Sequence, residues 1–510
     1  MASPSPQRKL HFFAPVLITL IVSVGIENAL ADPAVKISFD QQVAPLLASR
    51  CLSCHNATEK KGGLDLQREA SARVGGDSGS VITAGTPDTS LLWERIVSDE
   101  MPPKQHLSSQ EKEIVRQWIA DGAQWGTDPI DPFRASTVDR AGYDWWSLQP
   151  IAQPDLPWVD NTDWVQNGID RFVLSKLEAA QLAPAEQANS QTLLRRLYFD
   201  LIGLPPVLKN EDGKWKEETL GIEIDPRSFQ YYGASYNAVV DALLDSPHYG
   251  ERWGRHWLDV IRYGESQGFE RNRVRHNAWR YRDWVIQALN SDIPYDEFLR
   301  QQIAGDVLKP DDLNALIATG YLVCGTYDMV GYEMGSAEMK KVVRQDELED
   351  MVAALGQSML GLTINCARCH DHKFDPISQR EYYEVAALLG GVNQAVDERT
   401  DIALRPTDGS AFDGVAHVPI PTRPSTFHVL IRGNSRDLGE VVAPRGLQAF
   451  SAAGLSGDLG LTSDAPDTER RVALARWITD GRNPLTPRVI VNRLWHHHFG
   501  QGRMALSTGI

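Results

Sequence analysis

The sequence predicts a mainly α protein in three parts, and three observations lead there. Apolar residues recur at threes and fours across 169–182, 193–202, 249–263, 279–289 and 348–362, the period of an amphipathic helix. Prolines gather between the helical stretches, and 426–432 is the one clear strand candidate. A chain of 510 residues that is 42% hydrophobic also has enough apolar matter for several cores.

Residues 1–31 read as an export signal. Arg8 and Lys9 precede an apolar run at 12–24, and Ala29-Leu30-Ala31 supplies the small-x-small cleavage pattern, so the mature chain is expected to start at Asp32. The run falls short of the roughly 20 residues that cross a bilayer, with an uncleaved anchor as the alternative, and no membrane span is expected in the mature chain. That places the protein outside the cytoplasm, in a bacterial periplasm or its equivalent.

Residues 32–126 read as a compact helical domain. An apolar-patterned segment at 38–49 leads to a Cys-rich motif and a Gly-rich loop, followed by helices at 90–99 and 108–122. The last of these carries Ser108 as N-cap and Glu111 three residues on, a capping box. Residues 127–160 form a linker broken by Pro129, Pro132, Pro150, Pro154 and Pro157, whose Trp145 and Trp146 suggest that it packs onto a domain. A larger helical domain at 161–395 ends in a second Cys-rich motif and a helix at 378–389. A second linker, 396–425, leads to a mostly helical C-terminal domain at 426–510, with helices at 469–480 and 487–499.

The formal net charge of −16 disfavours nucleic acid and anionic lipid as partners. A redox partner protein, basic where it docks, fits better.

Four of the five cysteines lie in two copies of Cys-x-x-Cys-His: Cys51, Cys54, His55 and Cys366, Cys369, His370. One accidental copy is expected in roughly one chain in eight hundred of this Cys and His content, so two copies are not an accident of composition. The spacing is that of covalent haem attachment. If the first motif is helical, Cys51, Cys54 and His55 share one face, where two thiols reach the vinyl groups and the imidazole reaches the iron. Met101, in Met101-Pro102-Pro103-Lys104, is the candidate sixth ligand, with His106 next; a thioether there raises the reduction potential. Zinc would need four ligands, and this domain has no second Cys pair.

The second motif leaves two alternatives open. One is a second haem with His370 as proximal ligand and a distal residue from elsewhere, His256 or His276 being the candidates. Both sit among Arg252, Arg255, Arg262, Arg271, Arg273, Arg275, Arg280 and Arg282, which either pair haem propionates or form a salt-bridged face with nearby Asp and Glu. The other is a zinc or iron site built from Cys366, Cys369 and one or both of His370 and His372, with Asp375 close by. Cys324 reads as a buried structural thiol. His496, His497 and His498 fan around a helix, so one is expected to be buried and two at a surface or interface, and they cannot all chelate one ion.

Several stretches resemble a known family. The export signal, Cys51-Leu-Ser-Cys54-His55-Asn56, Gly62-Gly63-Leu64-Asp65-Leu66, Met101-Pro102-Pro103-Lys104 and Trp118-Ile119-Ala120-Asp121-Gly122-Ala123 resemble the planctomycete-type cytochrome c domain. Trp253-Gly254-Arg255-His256-Trp257-Leu258-Asp259, the run from Cys366 to Pro376, and Asn492-Arg493-Leu494-Trp495 are similar to the two domains of uncharacterised function that accompany it. The resemblance implies a bacterial multidomain exported cytochrome whose first domain is cytochrome c-like. It also implies an incomplete C-terminal domain, because the family pattern continues beyond the segment ending at Gly500.

The leading expectation is an electron-transfer protein with haem c at the first motif, passing electrons to a second haem or metal centre. The rivals are a haem- or metal-dependent extracytoplasmic oxidoreductase and a non-catalytic binding protein carrying a redox module.

Overall fold

The computed structural model describes residues 37–502 apart from 58, 212–213, 218–222, 225–230, 233–235, 269–270, 395–400 and 405–413; residues 1–31, where the sequence leads to the expectation of an export signal, and the last eight residues lie outside this range. The fold is mainly α, with strands confined to a small four-stranded antiparallel sheet and three two-stranded ones.

The N-terminal unit opens on Ser38, whose hydroxyl caps the turn Phe39–Val43 by accepting from Gln41 N. That turn runs into the helix Ala44–Arg50. Two further helices, Leu91–Val97 and Ser109–Ala120, close over a core that includes Val43, Leu47, Leu52, Ile96, Val115 and Ile119. The capping box is present: Ser108 Oγ accepts from Glu111 N while Glu111 Oε2 accepts from Ser108 N at 2.7 Å. Trp118 is buried, tilted against Phe39 and edge-on to Trp125, its indole N–H donating to Gln124 O at 2.8 Å.

The body of the molecule has one large core to which residues from Leu148 to Leu485 contribute, so the segments on either side of 396–425 share it. Helices Pro247–Val260 and Trp279–Asn290 cross at Gly250, where a Cβ would stand 2.3 Å from Ile286 O; glycine is required for that approach, and Gly250 N donates to Asn290 Oδ1 at 2.7 Å. Helix Tyr295–Leu308 packs on Asp467–Ile478. Between them Arg471, fully buried, forks onto Asp306 at 2.6 and 2.8 Å and reaches Asp467 at 2.7 Å, a buried charge with its compensation in place. A smaller core joins Ser190–Leu201 to Tyr236–Leu244 through Leu194, Tyr198, Val239 and Leu243.

The strand expected at 426–432 is Phe427–Leu430, paired antiparallel with Leu438–Val442 in a register that sets His428 opposite Val441. The helix expected at 348–362 begins earlier, as Ala337–Leu355, and ends in the turn Gly356–Leu360. Residues 127–160 hold no helix beyond short turns, yet they pack: Leu148 enters the large core, Ala141 N donates to Phe374 O at 2.8 Å, and Arg488 donates to Ser147 O and Gln149 O at 3.0 Å each. Cys324 is buried, and burial pushes its thiol up to about 12, as a structural thiol requires. Among the described residues no helix is long and apolar enough to cross a membrane.

Candidate haem sites

The first motif lies in the turn after the helix rather than within it, because the helix ends at Arg50. One helical hydrogen bond survives, His55 N to Cys51 O at 3.0 Å, and keeps both cysteines and the histidine within a single turn. The Gly-rich loop folds back over them: Lys61 N donates to Cys54 O at 3.0 Å and Leu66 N to His55 O at 2.9 Å. Gly63 makes this possible, with φ +69 and no room for a Cβ, which would meet Asp77 Oδ1 at 2.4 Å. Asn56 locks the end of the turn by donating to Leu52 O at 2.8 Å and accepting from Glu59 N at 2.8 Å.

Cys51 and Cys54 are free thiols, and burial pushes the Cys51 thiol up to about 12, so it stays protonated and inert as a thiolate nucleophile. His55 is half-buried. Burial holds its pKa below the ordinary histidine range, against the pull of the Lys61 and Leu64 backbone, so the ring is neutral and can offer a lone pair. Its Nδ1 is buried with no hydrogen-bond partner at good geometry. Two free thiols beside a neutral, incompletely satisfied imidazole fit a covalently attached haem.

Met101 is half-buried and its N–H donates to Arg95 O at 3.0 Å. The connection between its loop and the motif is Arg50, the residue before Cys51. Arg50 donates to Gln105 Oε1 at 3.1 Å and to Glu111 Oε1 at 2.9 Å, while Lys112 pairs Asp99 at 2.7 Å on the loop's other side. Arg50 escaped the sequence reading, and so did the part of Glu111 in holding it. Glu111 carried a signal for its cap, and none for the second oxygen that holds Arg50. His106, the reserve ligand, is exposed with Nδ1 3.8 Å from Asp99 Oδ1.

The second motif is built differently. Cys366 ends up exposed in the short turn Ile364–Arg368, and Cys369 and His370 follow, exposed as well; both thiols are free. Between the cysteines Arg368 is the anchor. It pairs Asp346 at 2.7 Å and also Glu349, and its carbonyl accepts from Gln379 Nε2 and the Tyr383 hydroxyl at 3.0 Å each. His370 Nδ1 lies 2.7 Å from Asp371 O, and since a carbonyl only accepts, Nδ1 carries the hydrogen and Nε2 the lone pair. A backbone carbonyl that fixes the tautomer in this way is the usual support of a metal-binding histidine.

His372 and Asp375, candidate metal ligands by sequence, are not placed with other ligands in a metal-holding group among the described residues. His372 is buried with both ring nitrogens committed: Nε2 donates to Thr363 Oγ1 at 2.9 Å, and Nδ1 accepts from Asp375 N at 2.7 Å and Phe374 N at 3.2 Å. Burial pushes its pKa down to about 4, so it is a neutral brace for the loop. Asp375 is buried beside it, 3.5 Å away and without a hydrogen-bond partner for either oxygen, and burial pushes its carboxyl up to about 6. Among the described residues no three His, Cys, Asp or Glu side chains are placed to hold a metal ion, so a zinc set of Cys366, Cys369, His370 and His372 is not assembled.

His256 stacks on His497 with ring centroids 3.7 Å apart and meets Trp253 edge-on, while His276 is exposed in the loop before Trp279–Asn290. His497 is half-buried, and His496 and His498 are exposed, the latter bonded to Asp200 at 2.7 Å; the buried member expected of the three is thus only partly covered. Four of the eight arginines between 252 and 282 form salt bridges, Arg262 with Asp350, Arg271 and Arg273 with Glu333, and Arg282 with Glu265. Arg275 is buried and donates to Cys324 O, Gly325 O and Gln394 Oε1.

The fold and the first site define a class, a helical multidomain protein carrying a c-type cytochrome domain. Residues 51–105 match the family model described as planctomycete cytochrome C (PSCyt1), 168–394 match PSCyt2, a protein of unknown function (DUF1549), and 470–507 match PSD1, a protein of unknown function (DUF1553). With these three matches in this order, the chain belongs to the planctomycete-type multidomain cytochrome c family. No curated protein and no solved structure matches it.

Proposed function

We propose that this chain is an extracytoplasmic electron-transfer protein with two covalent haems, one at Cys51, Cys54 and His55 with Met101 as sixth ligand, the other at Cys366, Cys369 and His370. The observation that carries the reading is that each motif sets two free thiols beside an imidazole able to offer a lone pair. The two thiols of each motif would hold the haem as thioethers, each Sγ–H adding across a vinyl C=C bond with its hydrogen passing to the neighbouring carbon and no oxidant consumed. When bound, haem supplies an iron that cycles between ferrous and ferric states. Cys51, Cys54, His55 and Met101 are each partly exposed, and Arg50 ties the Met101 loop to the motif through Gln105 and Glu111. The acidic chain favours a redox partner with a basic docking face.

Intact mass after maturation with a c-type haem assembly system tests this. Two haem additions are expected, falling to one with Cys366→Ala plus Cys369→Ala, and to one with Cys51→Ala plus Cys54→Ala. A single addition lost only with Cys51 and Cys54 removes the second haem from the proposal.

A further inference from the structure

Two helices bring together residues from distant parts of the chain that neither Cys-x-x-Cys-His motif uses. Arg252, Trp253, Arg255 and His256 lie on Pro247–Val260, within the segment matched as PSCyt2; His496, His497 and His498 lie on Leu485–Phe499, within the segment matched as PSD1. His256 and His497 stack with ring centroids 3.7 Å apart and planes 22° from parallel. The Trp253 ring stands 5.5 Å from His256, 6.0 Å from His497 and 4.8 Å from His498, centroid to centroid. Three imidazoles thus gather around one indole.

The cluster is held from behind by buried and bonded groups. Arg493, one turn before His497, is buried and donates to Ser358 O and Gln357 O, which fixes Leu485–Phe499 to the turn Gly356–Leu360. His498 Nδ1 lies 2.7 Å from Asp200 Oδ2 on Ser190–Leu201. Gly203, at φ +74, leaves room for the Arg252 stem, since a Cβ there would stand 2.9 Å from Arg252 Cδ.

What the cluster lacks is an acceptor. Trp253 is 7% exposed and its indole N–H is buried without a hydrogen-bond partner; Arg252 Nε is buried without one as well. Neither Arg252 nor Arg255 has an ion-pair partner among the described residues. Buried donors left unpaired are costly and rare in a native fold. Of the nearby carboxylates, Asp200 is committed to His498, and Asp259 faces His256 from the same helix. A metal ion does not suit the arrangement: stacked imidazoles turn ring faces rather than lone pairs toward each other, and no three His, Cys, Asp or Glu side chains among the described residues are placed to hold one. Two guanidiniums, an indole N–H and two imidazole N–H groups are instead the donor set of an anion.

We propose that Arg252, Trp253, Arg255, His256 and His497 form an oxyanion site where the two segments of unknown function meet, taking a sulfate- or phosphate-like group. None of these residues belongs to either Cys-x-x-Cys-His motif, and the site needs no haem. Its affinity is linked to pH. His256 faces His497 across the stack and Arg252, Arg255 and Asp259 on its own helix; His497 faces His496, His498 and Arg493 on its own helix and Arg252 on the other. Burial first, and then these neighbours, push His256 down to about 4 and hold His497 below the ordinary range. A bound dianion offsets the cations and draws the imidazoles back up, so the ion binds more tightly as pH falls.

Calorimetric titration of the full chain with sulfate at constant ionic strength tests this, since sulfate stays a dianion across the range. One saturable site is expected, its affinity rising about tenfold from about pH 7.5 to about pH 5.5, the change that follows when binding returns one imidazole from about 4 to the ordinary 6.5. Arg252→Gln is expected to weaken binding about tenfold, and His256→Gln with His497→Gln to flatten the pH dependence. The absence of a saturable site overturns the assignment. So does sulfate binding that is unchanged in Arg252→Gln, or that keeps its full pH dependence when both histidines are replaced. Should Arg252→Gln fail to fold, Arg255→Gln, at an exposed position, is expected to weaken binding by about threefold or more, and an unchanged affinity there overturns the site. Inorganic phosphate and phenyl phosphate then separate the sources of the group: tighter binding of phenyl phosphate assigns it to a larger ligand, equal or weaker binding to the free ion, and the site stands in either case.

Discussion

Arg50 shows how much of the proposed haem site rests on a residue outside the Cys-x-x-Cys-His motif. Its guanidinium spans from the residue before Cys51 to Gln105 and Glu111, and so couples the motif to the loop that carries Met101. A thioether is a weak ligand, and its occupancy depends on the loop that presents it. Met101→Ala is therefore expected to leave haem attached, lower the potential of the first haem, and open its iron to carbon monoxide or cyanide. Arg50→Ala should move the same observables in the same direction by a smaller amount. Redox titration with ligand binding checks both, and an unchanged potential in Met101→Ala would pass the sixth position to another residue.

Among the elements, the loop from Asp371 to Ile377 has a pH response that can be predicted. Asp375 is 1% exposed, its carboxyl has no hydrogen-bond partner, and burial raises it from the ordinary 3.8 to about 6. An acid whose folded-state pKa is raised binds its proton more tightly when folded. Its stabilising contribution is thus complete below about pH 4 and is lost as pH rises through about 6. Asp375→Asn is expected to flatten that loss and to raise stability at pH 7 to 8 by on the order of 2 kcal/mol; urea unfolding from pH 5 to 8 measures it, and parallel curves for the two proteins would contradict it. The same scale shows what the sequence could and could not convey. Capping and amphipathic period are local, so the helices at Ser109–Ala120, Trp279–Asn290 and Gln379–Leu388 were legible within a residue or two. Tyr295–Leu308 was not, because Gln301 and Gln302 are buried and break the apolar pattern; Gln302 Oε1 accepts from Trp257 Nε1 and the Tyr281 hydroxyl, partners remote in sequence. Cys-x-x-Cys-His spells out a site in five adjacent residues.

For the molecule as a whole, the decisive segment is the Pro-rich stretch between the N-terminal domain and the body, because it behaves as a strap. At one end Ile130 N donates to Gln67 O at 2.8 Å, next to Leu66, whose N–H holds His55 O; Thr127 N donates to Asp40 Oδ1 at 2.9 Å. At the other end Ala141 N donates to Phe374 O at 2.8 Å, four residues after His370, and Leu148 is buried in the large core. A short run of backbone therefore links the loop over the first motif to the loop after the second. The run is folded on itself, with Tyr143 N donating to Phe133 O at 2.8 Å, Thr137 N to Arg140 O at 2.8 Å and Ser136 N to Asp144 Oδ1 at 2.7 Å, so its own hydrogen bonds limit the conformations it can adopt and set the approach of the two motifs. Replacing 135–141 with a Gly-Ser sequence of equal length should leave both haems attached, since each motif keeps its own turn. It should also exchange a fixed approach for an encounter governed by an effective concentration in the roughly millimolar range. Intramolecular electron transfer is then expected to slow by about tenfold or more, with the rate rising again when solvent viscosity is reduced. Flash reduction of one haem, followed at the wavelengths of the other, reads this directly. An unchanged rate with both haems present would mean that electrons reach the second site from a separate partner, and that the strap serves only to hold the domains together.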